Sequence, residues 1–268
     1  MWLSLVERCV RDAEVVGSNP AIPTIHACGA GRFAGLSAYS GEGMLDAFFQ
    51  AIGYGLCHQI PERSFAAGGY QLPVCARDTG IYAGLALGIL ALWLLARGRR
   101  PTELPRWPVL VLVGAFILVM VYDGVTSYAG LRATTNEMRL LSGLLAGWGL
   151  ATLIVPMVNS QLWARSDSSR VLEGPRQVAA WLGLLAAAYA LLRWVLPLTG
   201  VVYPLLLSAS IIFSFVMVNV VIVTLVPRFE RQCERARDAW AIALLALALS
   251  AAEIGLAALL RTLVEGVA

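Results

Sequence analysis

The feature that most constrains this chain is a series of apolar stretches, each near the length of a bilayer crossing and almost free of charge. A transmembrane helix needs about 20 mainly apolar residues. Five such stretches run roughly from 79 to 96, 108 to 122 (extending towards 129), 135 to 158, 177 to 198 and 201 to 226. A sixth, roughly 239–263, is apolar apart from Glu253 and Arg261. Residues 44–56 form a shorter run that suits a tilted first span or an interfacial or re-entrant helix. No run of short alternating segments suggests a closed β-barrel. The expected fold class is all-α: a polytopic transmembrane helical bundle of about six spans with one short N-terminal membrane or interfacial helix. Composition agrees, because only 14% of residues are charged where soluble domains carry about 25%. The net charge of +3, with no basic patch interleaved with aromatics, gives no reason to expect a nucleic-acid partner. The expected partner is the lipid bilayer, and the sequence leaves the oligomeric state open.

The first 43 residues differ from the rest. They are polar, lack a helical period and do not have the build of a signal peptide. Gly17-Ser18-Asn19-Pro20 is what the T-arm of a transfer-RNA gene encodes when translated. Residues 1–43 are therefore expected to be a disordered or mis-translated extension, with Met44 as the true start. Residues 44–150 would form a membrane domain with a polar site, and residues 151–268 would add helices to the same bundle.

Local signals fit the spans. Thr134 and Glu137 have capping-box spacing ahead of the third, Pro73 is expected to start the helix leading into the first, and Pro197 and Gly200 suit a tight turn between the fourth and fifth. Gly80, Gly84 and Gly88 share one helix face, as do Gly143 and Gly147, a spacing that lets helix backbones approach closely in lipid. Orientation follows from arginine, the chain having no lysine. Arg97, Arg99, Arg100, Arg106, Arg165, Arg170, Arg176, Arg228, Arg231, Arg235 and Arg237 fall in alternate linkers. The positive-inside rule places these in the cytoplasm. Residues 57–78 and 123–139 then share the extracytoplasmic face.

That face collects the chemistry. Cys57, His58, Cys75 and Asp78 are all acceptable ligands for zinc or another divalent metal, and Cys75 and Asp78 share a face where the helix has begun. Adjacent Cys57 and His58 point apart in a helix, so both could bind one ion only from a loop. Cys57 and Cys75 also suit, first, a disulfide in an oxidising compartment, or else plain packing, or a reactive thiol at Cys75 beside Arg77 near a helix N-terminus. His58 suits either an interfacial hydrogen bond or proton transfer. Arg63, Arg77, Arg132 and Arg139 gather on a face otherwise poor in arginine. They suit either ion pairs with Asp78, Asp123 and Glu137, or a pocket for an anionic small molecule or lipid headgroup, since guanidinium forks and helix N-termini both favour anions. Arg193 lies near enough to its span's end to snorkel. Glu253, near mid-span, is expected to face the bundle interior and to be a candidate proton relay.

The strings CHQIPERSF (57–65), QLPVCARDTGIYAG (71–84), YDG (122–124) and GLRATTNEMRLLSGLLAG (130–147) resemble domain-of-unknown-function family 2085, predicted bacterial membrane proteins. The resemblance covers roughly residues 45–150 and leaves out the last three spans. It implies a membrane location and no particular activity. It also implies a third cysteine where this chain has Asp78, a departure that weakens an all-thiolate metal site here.

Three functions follow as expectations. One is transport or handling of an anionic molecule or lipid headgroup, with Arg77, Arg132, Asn136 and Arg139 holding the anion and Glu253 coupling protons. A second is a membrane-embedded metal-dependent enzyme, with Tyr82 or Asp123 as proton donor or base. The third is an assembly scaffold stapled by a Cys57–Cys75 disulfide. No nucleotide fingerprint, P-loop, HExxH or GxSxG motif names a reaction.

Overall fold

A computed structural model of the chain describes residues 41–267; of the extension expected over 1–43, residues 1–40 lie outside them and 41–43 open the first helix. Helix α1 (Gly41–Tyr54) leads into a loop with a single 3-10 turn (Pro61–Arg63) and a two-residue antiparallel hairpin, β1 (Ala66–Ala67) and β2 (Tyr70–Gln71). Gly68 and Gly69 close the hairpin with φ of 59° and 85°, a left-handed pair that glycine adopts without steric cost. Then come α2 (Ala76–Ala96), β3 (Pro101–Glu103), α3 (Trp107–Tyr128), α4 (Asn136–Leu162) and β4 (Asp167–Arg170). Helix α5 (Pro175–Ala190) continues through a π turn and a 3-10 turn to Thr199. Helices α6 (Val202–Thr224) and α7 (Trp240–Val267) complete the bundle.

Among the described residues six helices are long and apolar enough to cross a membrane, and the chain is an all-α polytopic membrane protein. Side chains on the flanks, such as Val111, Leu118 and Val125 of α3 and Leu244, Leu256 and Leu259 of α7, are exposed. They meet lipid rather than water. Helical backbone is required here, because lipid offers no hydrogen-bond partners.

The centre of the fold is the crossing of α2 on α4. A methyl group at Gly143 or Gly147 would overlap the carbonyl oxygens of Arg77 and Ile81, and one at Gly84 would come within 2.8 Å of Leu144 O. The glycine stripes do the close packing expected of them. Trp148 and Trp181 fill the interior beside this crossing, their ring centroids 6.2 Å apart. A second apolar cluster, Val158, Leu162, Val220, Cys233 and Ile242, closes the opposite end.

Two start signals are corrected. The N-cap of α4 is Thr135, whose hydroxyl accepts from the Met138 N–H at 3.3 Å, one residue later than the expected box. Helix α2 begins at Ala76 rather than at Pro73, after the extended N-cap Cys75. The turn at Gly200 is as expected, with φ 62°.

The bundle has two unlike ends. One carries the eleven arginines, the parallel β3–β4 pair and Arg100 stacked 3.7 Å over Trp163. The other gathers the 55–75 loop, the α3–α4 link, the α5–α6 turn and the end of α7. Arg193 pairs with Glu137 at 3.0 Å, Asn136 donates to Glu62 O at 3.1 Å and Arg261 donates to Cys57 O at 2.6 Å. The cysteine strings and the α3–α4 arginine string thus share one end.

Candidate functional site

The 55–75 loop is held from within and from three helices. The amide of Gln59, whose φ is 53°, donates to Gln50 O at 2.9 Å and Pro73 O at 2.8 Å. Gln71 donates back to Gln59 O at 2.9 Å. A side chain at Gly53 would overlap the same Pro73 carbonyl. From α7, Arg261 donates to Tyr54 O as well as to Cys57 O, stacks 4.3 Å over the Tyr54 ring and pairs with Glu265 at 2.8 Å. These contacts bring Cys57 against the N-terminus of α2.

The Cys75 N–H donates to Cys57 Sγ at 3.2 Å, and the Cys75 thiol donates to Asp78 Oδ2 at 3.2 Å. The two sulfurs and a carboxylate oxygen of Asp78 all lie within 4.8 Å of one another. The thiols are free. Their surroundings separate them. Hydrogen bonding from Cys75 holds the Cys57 thiol below its ordinary range, while that partnership and burial push Cys75 well above it. His58, expected as a fourth ligand, sits at the exposed rim of the same loop and does not join this group.

The arginines behave differently from one another. Asp123 is buried at 3% exposure inside α3. It accepts from Arg77 NH2 at 2.5 Å and Nε at 3.2 Å, from Arg132 NH2 at 2.5 Å and from Ser142 at 3.2 Å. Arg77 is therefore clamped into the bundle. Arg139, itself 9% exposed, bonds Asn136 Oδ1 at 3.1 Å and reaches Ser127 Oγ at 3.5 Å. Arg63 lies 5.9 Å over the Tyr128 ring. Neither Arg63 nor Arg139 has a carboxylate partner among the described residues.

A cavity of about 230 Å³ joins the two groups. It is lined by Cys57, His58, Arg63, Cys75, Arg77, Asp78 and Arg139, with Gln59, Ser127 and Tyr128. Seven of the residues expected at the site thus meet in one space. Asp123, Arg132 and Asn136 stand behind it as supports. Tyr82 lies away from the lining, its ring stacked on Phe215 of α6 at 6.1 Å. Glu137 pairs with Arg193 rather than with the arginines of its own link. Glu253 corrects another expectation. Its side chain is exposed on the flank of α7 instead of facing the interior, though Oε2 accepts from buried Asn219 at 2.8 Å. Gln59, Gln71 and Arg261 carry no site signal in the sequence, since their partners lie across loops or up to 207 residues away. At the other end Cys233 is buried, which raises its thiol above the ordinary range.

Comparison with known proteins places the sequence around this site in a family. The sequence model described as "Predicted membrane protein (DUF2085)" matches residues 57–153, a span that begins at Cys57 and holds every cavity-lining residue except Leu56. An uncharacterized protein of Methanocaldococcus jannaschii is 31% identical over 111 residues, covering 41% of this chain and 68% of that one. An uncharacterized protein of Methanothermobacter thermautotrophicus is 39% identical over 100 residues, 37% of this chain and 83% of that one. Both relatives are archaeal, so they lend nothing to an expectation of bacterial membership. No solved structure matches. On the family match, and on relatives at 31% and 39% identity covered to two thirds or more of their length, the chain belongs to the DUF2085 family of membrane proteins.

Proposed function

We propose that this protein binds an anionic group, a phosphate or carboxylate on a small molecule or lipid headgroup, in the cavity between the 55–75 loop and the ends of α2, α3 and α4. Binding there is the first step of transporting or handling that molecule at the extracytoplasmic face of the cell membrane. The observation that carries the reading is Arg139. It is buried, borders the cavity and has no carboxylate partner among the described residues. A charge withdrawn from water without a counter-ion is costly, and an arriving anion relieves that cost. Arg63 adds a second unpaired guanidinium, and Asp123 holds Arg77 at the wall. The cavity lies below the roughly 300–1,000 Å³ of drug-sized pockets, which suits a small anion or a single headgroup. Glu253, tied to Asn219, is the group that would carry a coupled proton.

Titration of inorganic phosphate into the purified protein in detergent tests the reading. Arg139→Gln removes a charge-assisted contact and is expected to weaken binding roughly 10- to 100-fold, whereas Arg170→Gln at the opposite end changes nothing. Equal binding by wild type and Arg139→Gln refutes it. A second reading, a scaffold stapled by a Cys57–Cys75 disulfide, is favoured by the closeness of the sulfurs. Mass spectrometry under non-reducing conditions decides it.

A further inference from the structure

We infer that Cys57, Cys75 and Asp78 form a binding site for a soft divalent metal ion of the zinc type, whose remaining coordination position faces the cavity and takes the anion held by Arg63 and Arg139. The anion half rests on the proposed anion reading; the metal half stands alone. Three observations carry it. First, tetrahedral zinc with metal–sulfur distances of about 2.3 Å and metal–oxygen distances of about 2.0–2.2 Å holds its ligand atoms roughly 3.5–3.8 Å apart. The three candidate atoms already lie within 4.8 Å of one another, and Cys75 Sγ and Asp78 Oδ2 at 3.2 Å, so small side-chain rotations complete the set. Second, the frame is fixed before any ion arrives. The Cys75 amide donates to the Cys57 sulfur, Arg261 holds the Cys57 carbonyl, and Gln59 ties the loop to the residue two before Cys75. Outer contacts of this kind orient metal ligands. Third, two sulfurs and one carboxylate select a thiophilic ion over magnesium or calcium, which take oxygen ligands.

Charge then links metal and anion. Two thiolates and a carboxylate carry three negative charges against two on the ion. The unpaired guanidiniums of Arg63 and Arg139, which line the same cavity, add two positive charges. The Arg77–Asp123–Arg132 triad adds one more. The site is therefore left positive, with the fourth position open to an anion. His58 does not fill that position, because it is outside the group of atoms within ligand reach of one another.

Cobalt(II) is the probe, added to the full chain in detergent after chelator treatment and confirmation that the thiols are reduced. One equivalent per chain should give a thiolate-to-cobalt charge-transfer band. Cys57→Ser and Cys75→Ser should each weaken or abolish that band. Asp78→Asn should keep a band but lower affinity by at least the roughly 10- to 100-fold typical of lost supporting groups. Added phosphate should shift the visible cobalt bands in wild type, and not in Arg139→Gln, which keeps its charge-transfer band and so reports a folded site. Absence of a charge-transfer band with reduced thiols overturns the metal site and leaves phosphate titration of the metal-free protein to judge the anion reading. A normal cobalt site whose bands ignore phosphate overturns the shared site alone. A metal band that survives both serine variants also refutes the assignment.

Discussion

Replacing Asp123 by asparagine keeps the shape of the side chain and removes its charge. Arg77 is then left 8% exposed without a counter-ion, deep against the α2–α4 crossing. Removing one partner of a buried pair costs about 3–5 kcal/mol. The second partner contributes less. The Arg132 side chain is 35% exposed, and a pair open to solvent is worth about 0–1 kcal/mol, so Arg132→Gln is expected to fall in that range. For a domain of this size each kcal/mol moves the melting point by roughly 2–4 °C. Asp123→Asn should therefore melt roughly 6–20 °C lower, at 2–4 °C for each of the 3–5 kcal/mol. Thermal unfolding followed by tryptophan fluorescence in one detergent reads the difference. The double variant Asp123→Leu with Arg77→Met should recover most of the loss, since apolar replacement of a buried pair is often neutral. The reasoning fails if Asp123→Asn stays within about 1 kcal/mol of wild type, the ceiling for an exposed pair, or if Arg132→Gln costs as much.

Other substitutions probe other parts of the fold. Gly147→Ala should destabilise by about 1–3 kcal/mol, the usual cost of overpacking, because its methyl overlaps Ile81 O. Gly114→Ala, with nothing within 4 Å, should be neutral or stabilise by up to about 1 kcal/mol in the same melting assay. Cys233 should resist maleimide at neutral pH until the protein is denatured, since burial keeps its thiol protonated to a higher pH than usual; mass spectrometry of labelled peptides reads this. Arg261→Ala removes two carbonyl contacts from the loop and should speed amide exchange at residues 55–58 without changing exchange in α4.

The spans were legible because transfer into lipid is a property of each segment alone. Their ends were less so. Helix α3 takes the longer of its two expected ends, running past Asp123 to Tyr128, because that carboxylate is neutralised by arginines 46 residues before it and nine after, a pairing hydropathy does not register. The site's clustering was legible once the arginine-rich linkers were taken to lie on one side, since alternating spans bring 57–78 and 123–139 to the same end. Which arginines pair was not, because Arg77, Arg132 and Arg139 look alike in sequence and differ only in their distance from Asp123. Glu253 was expected to face inward from the cost of a charge in lipid. It instead reaches from the flank to Asn219, which relieves that cost locally. Arg261 was noted only as an interruption of a span, since its partners at Tyr54 and Cys57 are brought near by folding.

Sidedness can be read by an impermeant maleimide applied to intact cells. Three variants suffice: one retaining Cys57 as its sole cysteine, and two without native cysteines that carry Leu131→Cys in the exposed α3–α4 link or Gly98→Cys at the arginine-rich end. Cys57 and position 131 should react from outside, while position 98 should react only after the membrane is opened. Labelling of Cys57 and of position 131 from opposite sides would contradict a common cavity.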